Sequence, residues 1–503
     1  MKLFSKIPLI AHNVSLINNI GILALSSILS RLVLFVRDFM LAAVLGPISY
    51  GVWIQFVVFF NYALHLPLGF QHVMSRDVPY YVGKRNFKRV SLIQNITFFV
   101  TLITAILAGF FFIISNSYFD SRFGGFSLLT ILIVFMTLIA QQLNAFFSIL
   151  LRAHQKFNIY SIGFVLIAIL SLVLGYFFAK AWGFSGAVAA LGIAFTMVTF
   201  FWLYHSPYMN INIRALIEFA EFKKIGKIAL PLFFSGLLGL LIVSIDRLII
   251  IFFYDDATIG YYGFAFMISQ SIALVTMPVT QAVYPRMMMS FAKHGKPEKI
   301  EHYLAFITQG VSFGVIFLIG VIYLLVEPII ENLLPDFVPA IKIIHIMLLG
   351  KAFATIANGA NMFSVAINKQ IKVLIIQIVM TICLAAAICC AGYLGAEITL
   401  IAVFVVLANL VYAFLSLVLA GFGLRDSSIE GLSFGFKSCL AILCMLFCMI
   451  LTDYFQSYCF VNVYTTKIIQ LLLWLMAVLF YWVLFLKKKI CTNISNPNSV
   501  CNM

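Results

Sequence analysis

Apolar runs about twenty residues long follow one another along almost the whole chain, separated only by short charged or Gly/Pro-containing stretches. A run of that length crosses the roughly 30 Å hydrocarbon core of a bilayer as a helix. Inside lipid every backbone N–H and C=O needs a partner, so only helices and closed barrels can span it. The runs are continuous rather than alternating, which selects helices. An all-α polytopic membrane protein is therefore expected. With 63% hydrophobic and 10% charged residues and a mean hydropathy of +1.10, no soluble domain fits between the runs.

Breaks at charge clusters and Gly/Pro turns give about fourteen spans: 14–45, 51–75, 91–115, 126–151, 158–179, 184–204, 228–253, 258–285, 302–326, 338–367, 373–393, 396–421, 438–452 and 467–486. The first run is too long for a removable signal and is expected to stay as the first helix. The longest linker, 205–227, interleaves Arg214, Glu218, Glu221, Lys223, Lys224 and Lys227 with Leu216, Phe219 and Ile225, a pattern suited to a helix lying in the membrane interface.

Lys and Arg accumulate in loops on the cytoplasmic side. With the N-terminus inside, 24 of the 32 cations fall on one side, including Arg76, Lys84, Arg85, Lys88, Arg89, Arg152, Lys156, Lys293, Lys296, Lys369 and Lys372. The other side collects Asp120, Asp255, Asp256, Glu327, Glu331, Asp336, Glu397 and Asp453. Both termini are thus expected in the cytoplasm. The net charge of +15 is a topological signal and gives no reason to expect nucleic acid as a partner.

Four cations remain inside apolar stretches: Arg31, Arg37, Arg247 and Lys351. Each costs about 2.5 to 3.5 kcal/mol near the bilayer centre on insertion scales, so such residues face a wet cavity and serve the cargo. Arg31 and Asp38 are seven residues apart and share a helix face.

An internal repeat appears at an offset near 209. Gly183-Phe-Ser-Gly186-Ala187 returns as Gly392-Tyr-Leu-Gly395-Ala396, Tyr50-Gly51 aligns with Ile259-Gly260, and Arg37-Asp38 aligns with the reversed pair Asp246-Arg247. Asn144 and its neighbours are echoed around Asn361, at 217. The expected organisation is two pseudo-symmetric six-helix lobes, 1–204 and 228–421, joined by the 205–227 linker. A helix pair within 422–489 and a polar tail, 490–503, follow. Parallel repeats of this kind leave a cavity between them.

Ser30-Arg31 through Val36-Arg37-Asp38, then Leu45-Gly46-Pro47, Tyr50-Gly51, Arg76-Asp77-Val78-Pro79-Tyr80-Tyr81 and Gly83-Lys84, resemble the start of polysaccharide flippases of the O-antigen type. These belong to the multidrug/oligosaccharidyl-lipid/polysaccharide (MOP) exporter superfamily, with the fold of its multidrug and toxin extrusion (MATE) members. The resemblance covers essentially the full chain. It implies a flippase in a bacterial inner membrane that moves an undecaprenyl-pyrophosphate-linked oligosaccharide from the cytoplasmic to the periplasmic leaflet by alternating access. It further implies coupling to H+ or Na+, a surrounding of membrane lipid, and a glycan polymerase and chain-length regulator as partners.

Arg31, Arg37, Arg247 and Lys351 are the candidate pyrophosphate ligands, since guanidinium matches phosphate oxygens as a planar fork. The alternative for each arginine is a structural ion pair with Asp38 or Asp246, and for Lys351 a side chain that snorkels or pairs with an acid. His65, Gly69, His72 and Arg76, spaced 4, 3 and 4, form one helical stripe, a candidate cavity wall. Asn144, beside Gln141 and Ser148, and Asn358, seven residues beyond Lys351, are further wall candidates; hydrogen bonding between helices competes with that reading. Asp38 and Asp246 are the only acids well inside spans and hence the candidates for ion coupling, although an adjacent arginine opposes proton binding.

Enzymatic motifs are missing: there is no Walker loop, no His-Glu-x-x-His and no Cys-x-x-Cys metal site, so neither a cofactor nor a metal is expected. Two rivals stand beside the flippase. A MATE-type multidrug exporter would need acids and aromatics for cationic drugs, whereas intramembrane cations outnumber acids here. A membrane glycan polymerase would need a large extramembrane loop.

Overall fold

The computed structural model describes residues 7–118, 126–205 and 219–424, and among them every regular element is helical. The expected spans 438–452 and 467–486 lie outside the described residues. Thirteen α-helices follow in chain order: α1 Ile7–Ala63, α2 Phe70–Gly83, α3 Phe87–Tyr118, α4 Leu128–Ala153, α5 Phe157–Tyr204, α6 Phe219–Phe253, α7 Asp256–Gln270, α8 Ala273–His294, α9 Glu301–Ala305, α10 Ser312–Leu333, α11 Ala340–Ala366, α12 Gln370–Tyr393 and α13 Ile398–Leu424. Seven of them are long and apolar enough to cross a membrane. The chain is a multi-pass membrane protein.

Glycine places several of the breaks. In α1, Gly46 takes φ 69° and ψ 173° just before Pro47, which separates two straight segments where the first two spans meet. In α5, Trp182 and Gly183 leave helical geometry between the fifth and sixth expected spans. Elsewhere a cap decides: Ser127 Oγ accepts the Thr130 N–H at 3.2 Å and starts α4.

Three expected spans are interrupted. The stretch 51–75 is helical only to Ala63, turns through 64–69 and resumes at Phe70. Pro67 has no N–H, and Leu68 and Gly69 are left-handed at φ 50° and 82°, so helix cannot pass. Two carbonyls at the break, which still accept Leu64 N–H and Leu66 N–H, take a second donor from the side: Gln141 Nε2 donates to Phe60 O at 3.4 Å and Gln142 Nε2 donates to Ala63 O. The stretch 258–285 likewise divides into α7 and α8 at Ser271–Ile272. A π-helical turn at Phe306–Val311 separates α9 from α10 inside the expected span 302–326.

The chain clusters into two compact units, one within Met1–Ile251 plus Asp255–Gly260, the other within Phe252–Tyr254 plus Tyr261–Met503. In the first, Phe70, Val73, Met74, Phe146, Phe147, Leu150, Trp202 and Ala229 share one core. This unit includes most of α6. Phe222 stacks on Phe70 at 5.3 Å between centroids, and Gly69 leaves no room for a Cβ, which would stand 2.1 Å from Ala229 O. Residues 219–227, expected in an interfacial linker, are the first turns of α6. In the second unit, Phe264, Phe337, Phe353 and Phe363 are buried, with Phe264 on Phe337 at 4.7 Å.

Each unit contains the same two local devices. Helix α4 ends with Gln155 at φ 58° and Lys156 N–H bonded to Leu151 O at 2.9 Å; α11 ends with Asn368 at φ 62° and Lys369 N–H bonded to Ser364 O at 2.8 Å. Both are six-to-one C-caps. Asn144 Nδ2 then reaches α5 at Thr199 Oγ1 (3.2 Å) and Phe195 O (3.3 Å), and Asn361 Nδ2 reaches α13 at Tyr412 Oη (2.5 Å).

Candidate functional site

Three of the four intramembrane cations lie in the first unit. Arg37 folds back along α1 onto its neighbour, with Nε 3.0 Å and Nη2 2.7 Å from Asp38 Oδ1. Its guanidinium lies 5.8 Å from the centroid of the Trp53 ring, a cation–π contact. Tyr50, 1% exposed, packs within electrostatic reach of both charges. Arg31 is half-buried one and a half turns earlier on α1, beside fully buried Ser30.

On α6, Arg247 Nε lies 3.7 Å from Asp246 Oδ1 while Nη2 donates to Val243 O at 2.8 Å. The side chains of Arg247 and Asp246 are only 12% and 7% exposed. A tyrosine accompanies this pair too: Tyr62 Oη meets Ser244 Oγ at 2.7 Å, and both charges act on its hydroxyl. The two Arg–Asp neighbours thus share a construction, a guanidinium beside the carboxylate next to it in sequence with an aromatic hydroxyl alongside. Composition hides Tyr50, Trp53 and Tyr62, because 16% of the chain is aromatic.

The histidine stripe is assembled differently from its spacing. His65 sits in the turn between α1 and α2, and His72 in the first turns of α2, so no single helix carries both. They nevertheless approach the same point of α6. A Cβ placed on Gly236 of α6 would stand 3.5 Å from His65 Nε2 and 3.5 Å from His72 Nε2. A cavity of about 20 Å³, lined by Leu64, His65, Gly69, Gln71, His72 and Phe233, opens here. Arg76 points away into an ion pair with Asp77 at 2.6 Å and is 57% exposed.

Asn144 is engaged in packing α4 against α5 through the hydrogen bonds described above. Lys351 and Asn358 belong to the second unit, on α11: Lys351 is half-buried and Asn358 is exposed among buried neighbours. Sequence reasoning missed the contact between the turn after Gly46 and the start of α7. There Gln55 Nε2 donates to Asp256 Oδ1 at 2.6 Å, and Gly51 and Gly260 meet backbone to backbone. The repeat had paired those two glycines by offset alone.

These features define a helical membrane protein whose first unit holds paired intramembrane charges. Residues 16–291, more than half of the chain, match the model of the family described as "Polysaccharide biosynthesis protein", and the chain belongs to that family. No curated protein matches its sequence. Among solved structures it resembles "Lipid II flippase MurJ, inward closed conformation", with TM-score 0.69, 19% identity, and coverage of 93% of this chain and 99% of that one. It also resembles an inward-facing multidrug resistance MATE family transporter of the MOP superfamily: TM-score 0.64, 17% identity, 82% and 95% covered. A MOP superfamily transporter from Pyrococcus furiosus, whose title reports a binding pocket of reverse polarity, gives TM-score 0.54, 16% identity, 84% and 96% covered. The fold is therefore that of the MOP superfamily.

Proposed function

We propose that this protein is a flippase for a lipid-linked oligosaccharide, carrying an undecaprenyl-pyrophosphate-linked glycan from the cytoplasmic to the periplasmic leaflet by alternating access. The observation that carries the reading is the cationic set of the first unit. Arg31, Arg37 and Arg247 sit in apolar helices, in a member of a polysaccharide biosynthesis family. Guanidinium groups at that depth suit a pyrophosphate, and the carboxylates beside Arg37 and Arg247 partner them until a phosphate competes for them. Lys351 would add a fourth cation. The fold shared with a structure titled as a Lipid II flippase supports the same class of cargo.

In this reading the chain has fourteen spans with both termini in the cytoplasm of a bacterial inner membrane, and transports rather than catalyses. A cationic drug is the poorer cargo, because both intramembrane acids, Asp38 and Asp246, already face an arginine. The test is Arg31→Ala and Arg247→Ala. Each variant is expected to insert at normal levels and to abolish surface glycan assembly, whereas normal display in both would remove the phosphate-binding role.

A further inference from the structure

Among the described residues, two imidazoles line one small cavity at the break between α1 and α2. His65 Nδ1 lies 3.3 Å from Asn61 O. A carbonyl only accepts, so Nδ1 carries the proton, and in the neutral ring this leaves Nε2 as a bare lone pair. That Nε2 faces the cavity beside α6, and His72 Nε2 faces it from the other wall, both 3.5 Å from the Cβ position of Gly236. The cavity's ~20 Å³ is enough for about one water.

We propose that His65 and His72 form a single-proton site and that this proton is the coupling ion. A proton from bulk water adds to the Nε2 lone pair of one ring, and the resulting N–H is held by the other ring's Nε2 through one water in the cavity they share. A second proton would set two imidazolium cations across one small cavity, where they repel. From α6, Phe233 lines the cavity and Gly236 passes close to both rings, and the same helix carries Asp246 and Arg247 ten and eleven residues beyond Gly236, about 15 Å along it. Occupancy of the proton site therefore bears directly on the packing of the helix that holds the candidate cargo ligand.

Other charges leave the pair alone. On α2 the next charged group is Arg76, engaged with Asp77. On α1 the neighbouring titratable group is Tyr62, held by Ser244. Towards its N-terminus α6 offers nothing charged before Lys227, nine residues from Gly236. From α3 comes Thr101, bonded to Gln71, and from α4 come Gln141 and Gln142, both spent on α1 carbonyls. Asp38 and Asp246, the acids expected to couple an ion, are by contrast each committed to an arginine.

The coupling role rests on the transport reading; the shared proton does not. The test is histidine-selective NMR of the labelled protein in nanodiscs, with assignments from His65→Gln and His72→Gln. The pair is expected to titrate in two steps at least about one pH unit apart, and each single variant in one step lying between them. Gly236→Leu, which fills the cavity without removing an imidazole, should bring the two steps together. In cells the His65→Gln/His72→Gln variant, at matched protein level, should lose glycan display. Independent titration, each midpoint unchanged when the other ring is replaced, would overturn the site, and normal display by the double variant would overturn its coupling role. If deleting the whole gene leaves glycan display intact, the cargo reading falls while the NMR titration still decides the proton site.

Discussion

Adjacent residues on a helix point about 100° apart, so Arg37 and Arg247 reach Asp38 and Asp246 only by folding their long side chains along the helix surface. Both contacts of Arg37 land on Oδ1, and Arg247 donates to the Val243 carbonyl while its Nε stands 3.7 Å from Asp246 Oδ1, an ion pair without a hydrogen bond. A cation held this loosely can exchange one acceptor for another, which suits a ligand that comes and goes. Charge made these residues visible in an apolar sequence; nothing in the sequence marks the tyrosines beside them. A titration outside the spans is equally hidden. His154, in the turn after α4, lies 2.7 Å from Gln94 Nε2, and a donating carboxamide demands an unprotonated ring nitrogen there. Burial, reinforced by Lys156, pushes His154 below the usual histidine range. The unfolded chain then binds more protons below about pH 6.5, so stability present above that pH is lost as pH falls through the folded value. Thermal unfolding in detergent should show a larger fall in midpoint between pH 7.5 and 5.5 for the wild type than for His154→Gln. Equal falls would assign the acid sensitivity elsewhere.

At the scale of elements, punctuation residues decided what could be read. Gly46-Pro47 and Gly183 announced their breaks, and the span edges of α4, α11 and α12 followed charges and caps. The interruptions at 64–69 and 271–272 fall at Pro67-Leu68-Gly69 and after Ser269-Gln270-Ser271, marks too short to tell a full break from a kink within one span, and it is Pro67 and the left-handed Leu68 and Gly69, with Gln141 and Gln142 bonding from the side, that make the first a break. Close approach of backbones is invisible in the same way. A Cβ on Gly260 would stand 2.1 Å from Pro47 O and 3.1 Å from Gly51 N, and one on Gly51 would stand 1.8 Å from Asp256 O. Backbone atoms cannot step aside as a side-chain tip can, so Gly260→Ala is expected to cost about 1 to 3 kcal/mol. Gly51→Ala should do the same, and the double variant should cost less than the sum, because the two residues share one contact. Gly239→Ala on α6 is the control, with nothing within 4 Å of its Cβ and a helix-propensity gain of up to about 1 kcal/mol. Detergent melting curves that rank Gly260→Ala at or above Gly239→Ala would show that the crossing yields without strain.

For the whole molecule, two kinds of pattern in the sequence act over long distances: the repeat and the charge asymmetry. The repeat aligned Asn144 with Asn361, and each bridges to a later helix of its own unit, the interhelical hydrogen bonding that competed with the cavity-wall reading of Asn144. The charge asymmetry leads to a direct test of topology. Asp255 sits in the turn between α6 and α7 and Asp256 opens α7, while Lys293, Lys296 and Lys299 cluster at the end of α8 and just beyond it. Between the two clusters run α7 and α8, together longer than the roughly 30 Å of hydrocarbon that a single crossing needs. One crossing must separate them, and retention of Lys and Arg on the cytoplasmic side sets its direction. Alkaline phosphatase folds to an active form only outside the cytoplasm. Fusion after Asp255 should therefore be active and fusion after Lys296 inactive. The opposite pair of activities would invert every loop assignment and place the basic turns after α2, α4 and α11 outside, where the positive-inside bias could not have retained them. Equal activities would mean that α7 and α8 return to the side they left, their break at Ser271–Ile272 acting as the tip of a re-entrant hairpin instead of an interruption within one crossing.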